Sequence, residues 1–167
     1  LNDVVTRSTL CFVVGISSQA IAVAAGSTSS YALLNNGTVL AWGDNGSGQL
    51  GQNDGVTRST PVPILGISSQ AIAIGPASAS VCILLNDGTV RLVGSNAFGQ
   101  LGLNDKTGRL TPVPTLNNSA FASGYLIPNN LNSVNGIMTT FYSTTLLMSD
   151  GTIRSVGRNN NGQLGTN

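Results

Sequence analysis

The chain contains no glutamate and no histidine, has a single lysine (Lys106), and is charged at only 8% of its 167 positions. Six aspartates (Asp3, Asp44, Asp54, Asp87, Asp105, Asp150) are therefore its entire carboxylate side-chain supply. General acid/base catalysis and zinc binding draw first on His and Glu, so their absence argues against a hydrolase or a zinc site. No catalytic, metal-binding or cofactor-binding residue is expected. The net charge of +1 has no basic run behind it, because the six arginines are scattered singly. Nucleic-acid binding normally neutralises several phosphates at once, so a DNA or RNA partner is disfavoured. Apolar runs such as Ala20 to Ala25 fall far short of the roughly 20 residues that span a bilayer, so membrane insertion is not expected. The chain opens at Leu1 without a signal-like segment, which reads as a mature or excised piece.

Two cysteines, Cys11 and Cys82, allow one disulfide at most; the alternative is a pair of buried thiols acting as small hydrophobes. What the sequence has in excess is Gly, Ser, Thr and Asn, a neutral polar composition that suggests an extracellular or cell-surface setting. Asn-x-Ser/Thr acceptors at Asn36, Asn45 and Asn117 are candidates for N-linked glycans in such a setting. Asn117 is the best placed of these. Asn45 is the weakest, because its equivalents Asn96 and Asn159 lack the acceptor pattern.

The chain repeats itself. NDVVTRST at 2 to 9 recurs as NDGVTRST at 53 to 60, and GISSQAIAV at 15 to 23 as GISSQAIAI at 66 to 74, both at an offset of 51. Thr60-Pro61-Val62-Pro63 recurs as Thr111-Pro112-Val113-Pro114. The third unit is longer, since Asp87-Gly88-Thr89 returns as Asp150-Gly151-Thr152 at an offset of 63. The units are 1–51, 52–102 and 103–165, with an insertion at about 117–136.

Each unit carries strand signals: GISSQAIAI, SVCILL and TVRLVG are short apolar runs, the last two separated by Asn-Gly or Asp-Gly. That dipeptide between apolar runs predicts a hairpin with a type I′ turn. STPVPILG is a further extended stretch whose prolines exclude helix and mark an edge strand. Four short strands in about 51 residues is the pattern of a propeller blade.

The third strand runs into GDNGSGQLG, GSNAFGQLG or GRNNNGQLG, at 43–51, 94–102 and 157–165. No helix signal follows these glycines, which argues against a dinucleotide loop. Asp44 becomes Ser95 and Arg158, which argues against a calcium loop. The loop is expected to be a structural turn, its Asn and Gln satisfying loop amides and carbonyls and its Leu anchoring it. Arg7, Arg58 and Arg109, at one phase of the repeat, are expected to be hydrogen-bonding residues within a blade.

WGDNGSGQLG with the upstream NGTVLAWG, and its two degenerate copies, resembles the repeat of the regulator of chromosome condensation family over the whole chain. The resemblance implies an all-β fold of propeller blades, each of four antiparallel strands and usually seven to a ring. Three blades are then expected here, as part of a larger propeller or repeat assembly. The departures are Val93 and Val156 where Trp42 stands, the absence of His in the second strand, and the insertion.

The resemblance spans nucleotide exchange on a small nuclear GTPase, substrate recruitment in ubiquitin ligases, and secreted β-lactamase inhibition, and fold alone does not choose among them. Composition favours a non-enzymatic extracellular or cell-surface module that presents its faces to a protein partner or to copies of itself. The alternative is an intracellular propeller recruiting a protein partner, of the nucleotide-exchange or ubiquitin-ligase adaptor type. The insertion, which breaks the repeat, supplies the candidate partner contacts Phe121, Tyr125, Leu126 and Ile127.

Overall fold

The computed structural model describes residues 5–16, 18–67, 69–115 and 134–166. It contains three antiparallel sheets of a partial β-propeller. The first blade is formed by β1 (Ala20–Ala25), β2 (Ser29–Leu34), β3 (Val39–Gly43) and β4 (Arg58–Pro63), in spatial order β1-β2-β3-β4. The second is formed by β5 (Ala71–Pro76), β6 (Ser80–Leu85), β7 (Val90–Gly94) and β8 (Arg109–Pro114) in the same order. The third contains β9 (Val134–Thr139), β10 (Ser143–Met148) and β11 (Ile153–Gly157). Each four-stranded sheet takes its outermost strand from the repeat unit that follows. Pro61, Pro63, Pro112 and Pro114 lie on those outermost strands, where a missing N–H costs no ladder bond.

The second strand of each four-stranded sheet explains why the sheets stack. Every residue of β6 is buried, and from Val81 to Leu85 the strand is apolar on both faces rather than alternating with polar residues. Tyr31, Leu33, Val39 and Ala41 of the first blade pack against Ala71, Val81, Ile83, Leu85 and Val93 of the second. Cys82, Leu84, Val90 and Leu92, one repeat later, pack against Val134, Leu146 and Met148 of the third. The same face is thus used twice in the same way.

The two end faces are apolar and exposed. On the first blade a concavity of about 550 Å³ is lined by Ala20, Val23, Ala32 and Trp42, with Val13 and Ile16 beside them. On the third, Met138, Leu147 and Ile153 are 60%, 44% and 70% exposed.

The hairpins form where Asn-Gly and Asp-Gly predict them, but with a different turn. Only the glycines Gly37, Gly88 and Gly151 have positive φ (80°, 77° and 83°), whereas a type I′ turn needs two such residues in succession. Gly37 N donates to Leu34 O at 2.9 Å and Leu34 N to Thr38 O at 2.9 Å, the bonding of a type I turn closed by a left-handed glycine. The residue before each glycine does not have positive φ, and its side chain braces the turn. Asn36, Asp87 and Asp150 each accept the amide two residues on, from Thr38, Thr89 and Thr152.

The glycine ending the third strand is required for space as well as conformation. At Gly94, with φ of 107°, an added Cβ would lie 2.4 Å from the Ala79 carbonyl oxygen. Gly43 meets Thr28 in the same way at 2.5 Å. Strain at positive φ and overpacking against backbone together predict that Gly94→Ala destabilises the fold by about 2–4 kcal/mol. Gly46→Ala, whose Cβ would touch only the Asp44 side chain, should stay within about 0.5 kcal/mol. Urea unfolding of both variants checks the contrast, and equal midpoints would contradict it.

Candidate protein-interaction surface

Each blade has two ends. The hairpin turns and the connections from the fourth strand to the next blade share one end, and the β1–β2-type turns and Gly-Gln-Leu-Gly loops share the other. At the loop end, polar side chains are spent on holding the backbone. Asn45 is fully buried: its Nδ2 donates to the Asp54 carbonyl at 2.8 Å and to Asp54 Oδ1 at 2.9 Å, and its Oδ1 accepts Leu50 N at 2.8 Å. Asn96 repeats this with Asp105 and Leu101 at 2.9–3.0 Å. Asn159 accepts Leu164 N at 2.9 Å. Gln49, Gln100 and Gln163 each accept a loop amide at 2.9 Å. Leu50 and Leu101 are fully buried beneath, and Tyr31, whose hydroxyl donates to the Gln49 carbonyl at 3.1 Å, ties the first loop to its blade. Desolvation pushes the Tyr31 phenol up to about 12.

Arg58 and Arg109 are loop latches, as their phase suggested. Each pairs with the aspartate four residues earlier at 2.7 Å, Arg58 with Asp54 and Arg109 with Asp105, and each also donates to a carbonyl of its own loop, Val56 and Thr107 respectively. Among the described residues, no three His, Cys, Asp or Glu side chains come together as a metal cluster would require.

The candidate sites separate in the structure. Asn36 is exposed at a hairpin turn with its Oδ1 engaged by Thr38 N at 3.0 Å. Asn45 is withdrawn as a glycan acceptor, because both ends of its amide are bonded inside the loop and none of it is exposed. The disulfide alternative is also corrected: Cys11 and Cys82 are both free thiols, one exposed and one buried. Cys82 faces the third blade, whereas Cys11 belongs to the segment whose Val13 and Ile16 lie on the far face of the first, so packed sheets separate them. Burial raises the Cys82 thiol pKa strongly. Asn117, Phe121, Tyr125, Leu126 and Ile127 lie outside the described residues.

One cluster was missed. Phe98, in the second loop, packs against Tyr142, from the β9–β10 turn, with ring centroids 4.6 Å apart and planes tilted by 54°, and Tyr142 meets Phe141 edge-on at 4.6 Å. The Arg158 guanidinium lies over both Phe98 and Tyr142, 5.5 and 5.2 Å from their ring centroids. Its Nε is buried without a hydrogen-bond partner. The signal was available in the repeat: these positions hold Ser47 and Asn161 in place of Phe98, Ser27 and Ser78 in place of Phe141, Thr28 and Ala79 in place of Tyr142, and Asp44 and Ser95 in place of Arg158.

The Asp54 and Asp105 carboxyls titrate below the ordinary value of 3.8, first because Arg58 and Arg109 donate to them and then because the Val56 and Thr107 amides do. A depressed folded pKa means that the latches contribute stability above the unfolded carboxylate value and lose it as pH falls through the folded one. Both carboxylates are exposed, so salt should weaken the effect. Carboxyl ¹³C titration should give midpoints below 3.8 that rise in Arg58→Ala and Arg109→Ala respectively. Unmoved midpoints would remove the latches from the account.

The comparisons with known proteins agree with this geometry. The model of the regulator of chromosome condensation (RCC1) repeat matches residues 20–49 and, in a second form, residues 36–80. The chain is similar to the human probable E3 ubiquitin-protein ligase HERC4, 30% identical over 150 residues that cover 86% of the chain and 13% of the ligase. It is also similar to mouse protein RCC2, 35% identical over 88 residues, 51% of the chain and 17% of that protein. The chain thus spans less than a fifth of the length of either relative. In fold it is similar to Prp20p of Saccharomyces cerevisiae, with a TM-score of 0.69 at 20% identity, covering 89% of the chain and 34% of that structure. With its three blades and thrice-repeated loop, the chain belongs to the regulator of chromosome condensation repeat family.

Proposed function

We propose that this chain is a non-enzymatic, intracellular propeller module that recruits a protein partner. The observation that carries this reading is the Phe98, Phe141, Tyr142 and Arg158 cluster: aromatic and arginine side chains on loops whose fold does not need them are the composition of a protein-contact hot spot. The remaining loop polar groups support it from the other side. Their aspartates and amides are spent on turns and latches, which leaves them poorly placed to act on a substrate.

The intracellular setting departs from the extracellular expectation of composition. It is supported by similarity to a ubiquitin ligase, since ubiquitin is conjugated inside cells. Unpaired Cys11 and Cys82 and the buried Asn45 also favour it. Within this setting, recruitment of a substrate to a ligase is the adaptor role that the HERC4 similarity favours. Prp20p is described as binding Gsp1p and histones, and a small GTPase is the corresponding partner class under the nucleotide-exchange alternative. Association with further blades or with copies of this chain is a second reading, favoured by the apolar end faces at Ala20, Val23, Trp42 and at Met138, Leu147, Ile153.

The test is crosslinking and mass spectrometry on the tagged full-length chain from its native cells, with intact mass before and after deglycosylation. The expected outcome is an unglycosylated chain with a protein crosslinked to a propeller surface. A chain that loses sugar mass and carries no intracellular crosslink would return the reading to the cell surface.

A further inference from the structure

The geometry points to a docking site for an acidic segment of a partner protein at Phe98, Phe141, Tyr142 and Arg158, with a carboxylate on the Arg158 guanidinium and an apolar side chain against the exposed rings. This inference rests on the protein-recruiting reading and names what is recognised.

The repeat itself shows that these side chains are not there for the fold. The backbone bond beneath them is the same in all three blades: Asp44 N donates to Thr28 O at 2.9 Å, Ser95 N to Ala79 O at 2.8 Å, and Arg158 N to Tyr142 O at 3.0 Å. The first two blades keep that bond with small or polar residues at the Tyr142 position, and the first places Asp44 where the third has Arg158. Two rings and a guanidinium have therefore been added to a turn that closes without them, and Phe98 joins them from the second loop. They gather at one place because Phe98 comes from the second blade and the other three from the third.

Exposure and charge indicate the occupant. Phe98 and Phe141 are 40% and 53% exposed, apolar area of the kind aromatic anchors present at interfaces. The Arg158 guanidinium lies over the Phe98 and Tyr142 rings, and the residue is only half-buried. The latch carboxylate of the loop that carries Phe98 is already committed, Asp105 to Arg109, so it supplies no counter-charge. Lys106, exposed in the loop that Asn96 holds through Asp105, adds a second cation at this end. A stacked guanidinium suits a carboxylate, which it can meet with paired donors. A cation over rings also resembles a single-stranded nucleic-acid site, but such grooves track several phosphates along a charged channel, and Arg58 and Arg109 are taken up by the latches. The acidic peptide is the occupant the observations favour.

The experiment measures fluorescence anisotropy of the full-length chain with a fluorescein-labelled peptide in which Asp and Glu alternate with Phe and Leu. The same peptide with Asn and Gln in place of the acids, and a short oligothymidylate, are the comparisons. The acidic peptide should bind at least roughly tenfold more tightly than its amide counterpart, as hydrogen bonds to a charged partner imply, and should weaken with added salt. Arg158→Ser and Phe98→Ser, which install the residues of the sister blades, should each weaken it by about tenfold. Asn36→Ser, at the opposite end, should leave it unchanged. Arg158→Lys, which keeps the charge without the planar stack, should fall between and serves if the serine variant does not fold. Equal affinity for the acid and amide peptides, indifference to both Arg158 variants, or tighter binding of oligothymidylate would each overturn the inference. A native partner retained by a chain that ignores the acidic peptide would overturn this inference alone. Absence of any native partner would overturn the recruiting reading beneath it.

Discussion

The constraint on which the structure depends is that the second strands of its four-stranded sheets are buried on both faces. A sheet such as β5–β8, with Val81, Ile83 and Leu85 on one side and Cys82, Leu84 and Leu92 on the other, cannot leave either side to water. Burying a Leu or Ile side chain stabilises by about 1.5–3 kcal/mol, so each interface of this kind is a large part of the stability of the blades it joins. The sheets must therefore stack, and the short loops between them must bring each new sheet onto the last. The loop chemistry follows from that. Where Gly94 ends its strand, the turn between β5 and β6 passes so close that only a glycine fits, and Asn96 then fixes the reversing chain with three hydrogen bonds.

Because stacking uses one rule repeatedly, much of the fold was legible by aligning the chain with itself. The strand runs, the hairpin positions, the edge prolines and the roles of Asn45, Gln49, Arg58 and Arg109 all follow from residues that recur in phase. What escaped the sequence depends on distances that periodicity does not encode. The Asn-Gly dipeptide signals a hairpin, but not whether one or two residues take positive φ; here only Gly37 does, with Asn36 Oδ1 accepting the Thr38 amide. Cys11 and Cys82 could pair on paper, and only the stacking order places blades between them. Asn45 carries an acceptor pattern, yet the same amide is the one the loop cannot spare.

The cluster at Phe98 and Arg158 was hidden for a further reason. It is built from two blades, so no single repeat contains it, and each member reads alone as an ordinary departure in a degenerate copy. The departures become meaningful only when the stack brings the β9–β10 turn beside the second loop.

In a scaffold of this kind, many of the described side chains are not at liberty to vary. Side chains facing neighbouring blades are fixed by packing, and those inside the loops are fixed by hydrogen bonds that would be costly to leave unmade. The positions at liberty to vary are those whose backbone is already satisfied without them, such as the turn that closes on Thr28, Ala79 or Tyr142 alike. A change at such a position costs the fold little, so it is where selection for binding can act without first repairing stability. The same argument sets the blades apart: Asp44 and Arg158 occupy equivalent sites with opposite charge, so a stack of similar blades can present a different electrostatic surface at each one.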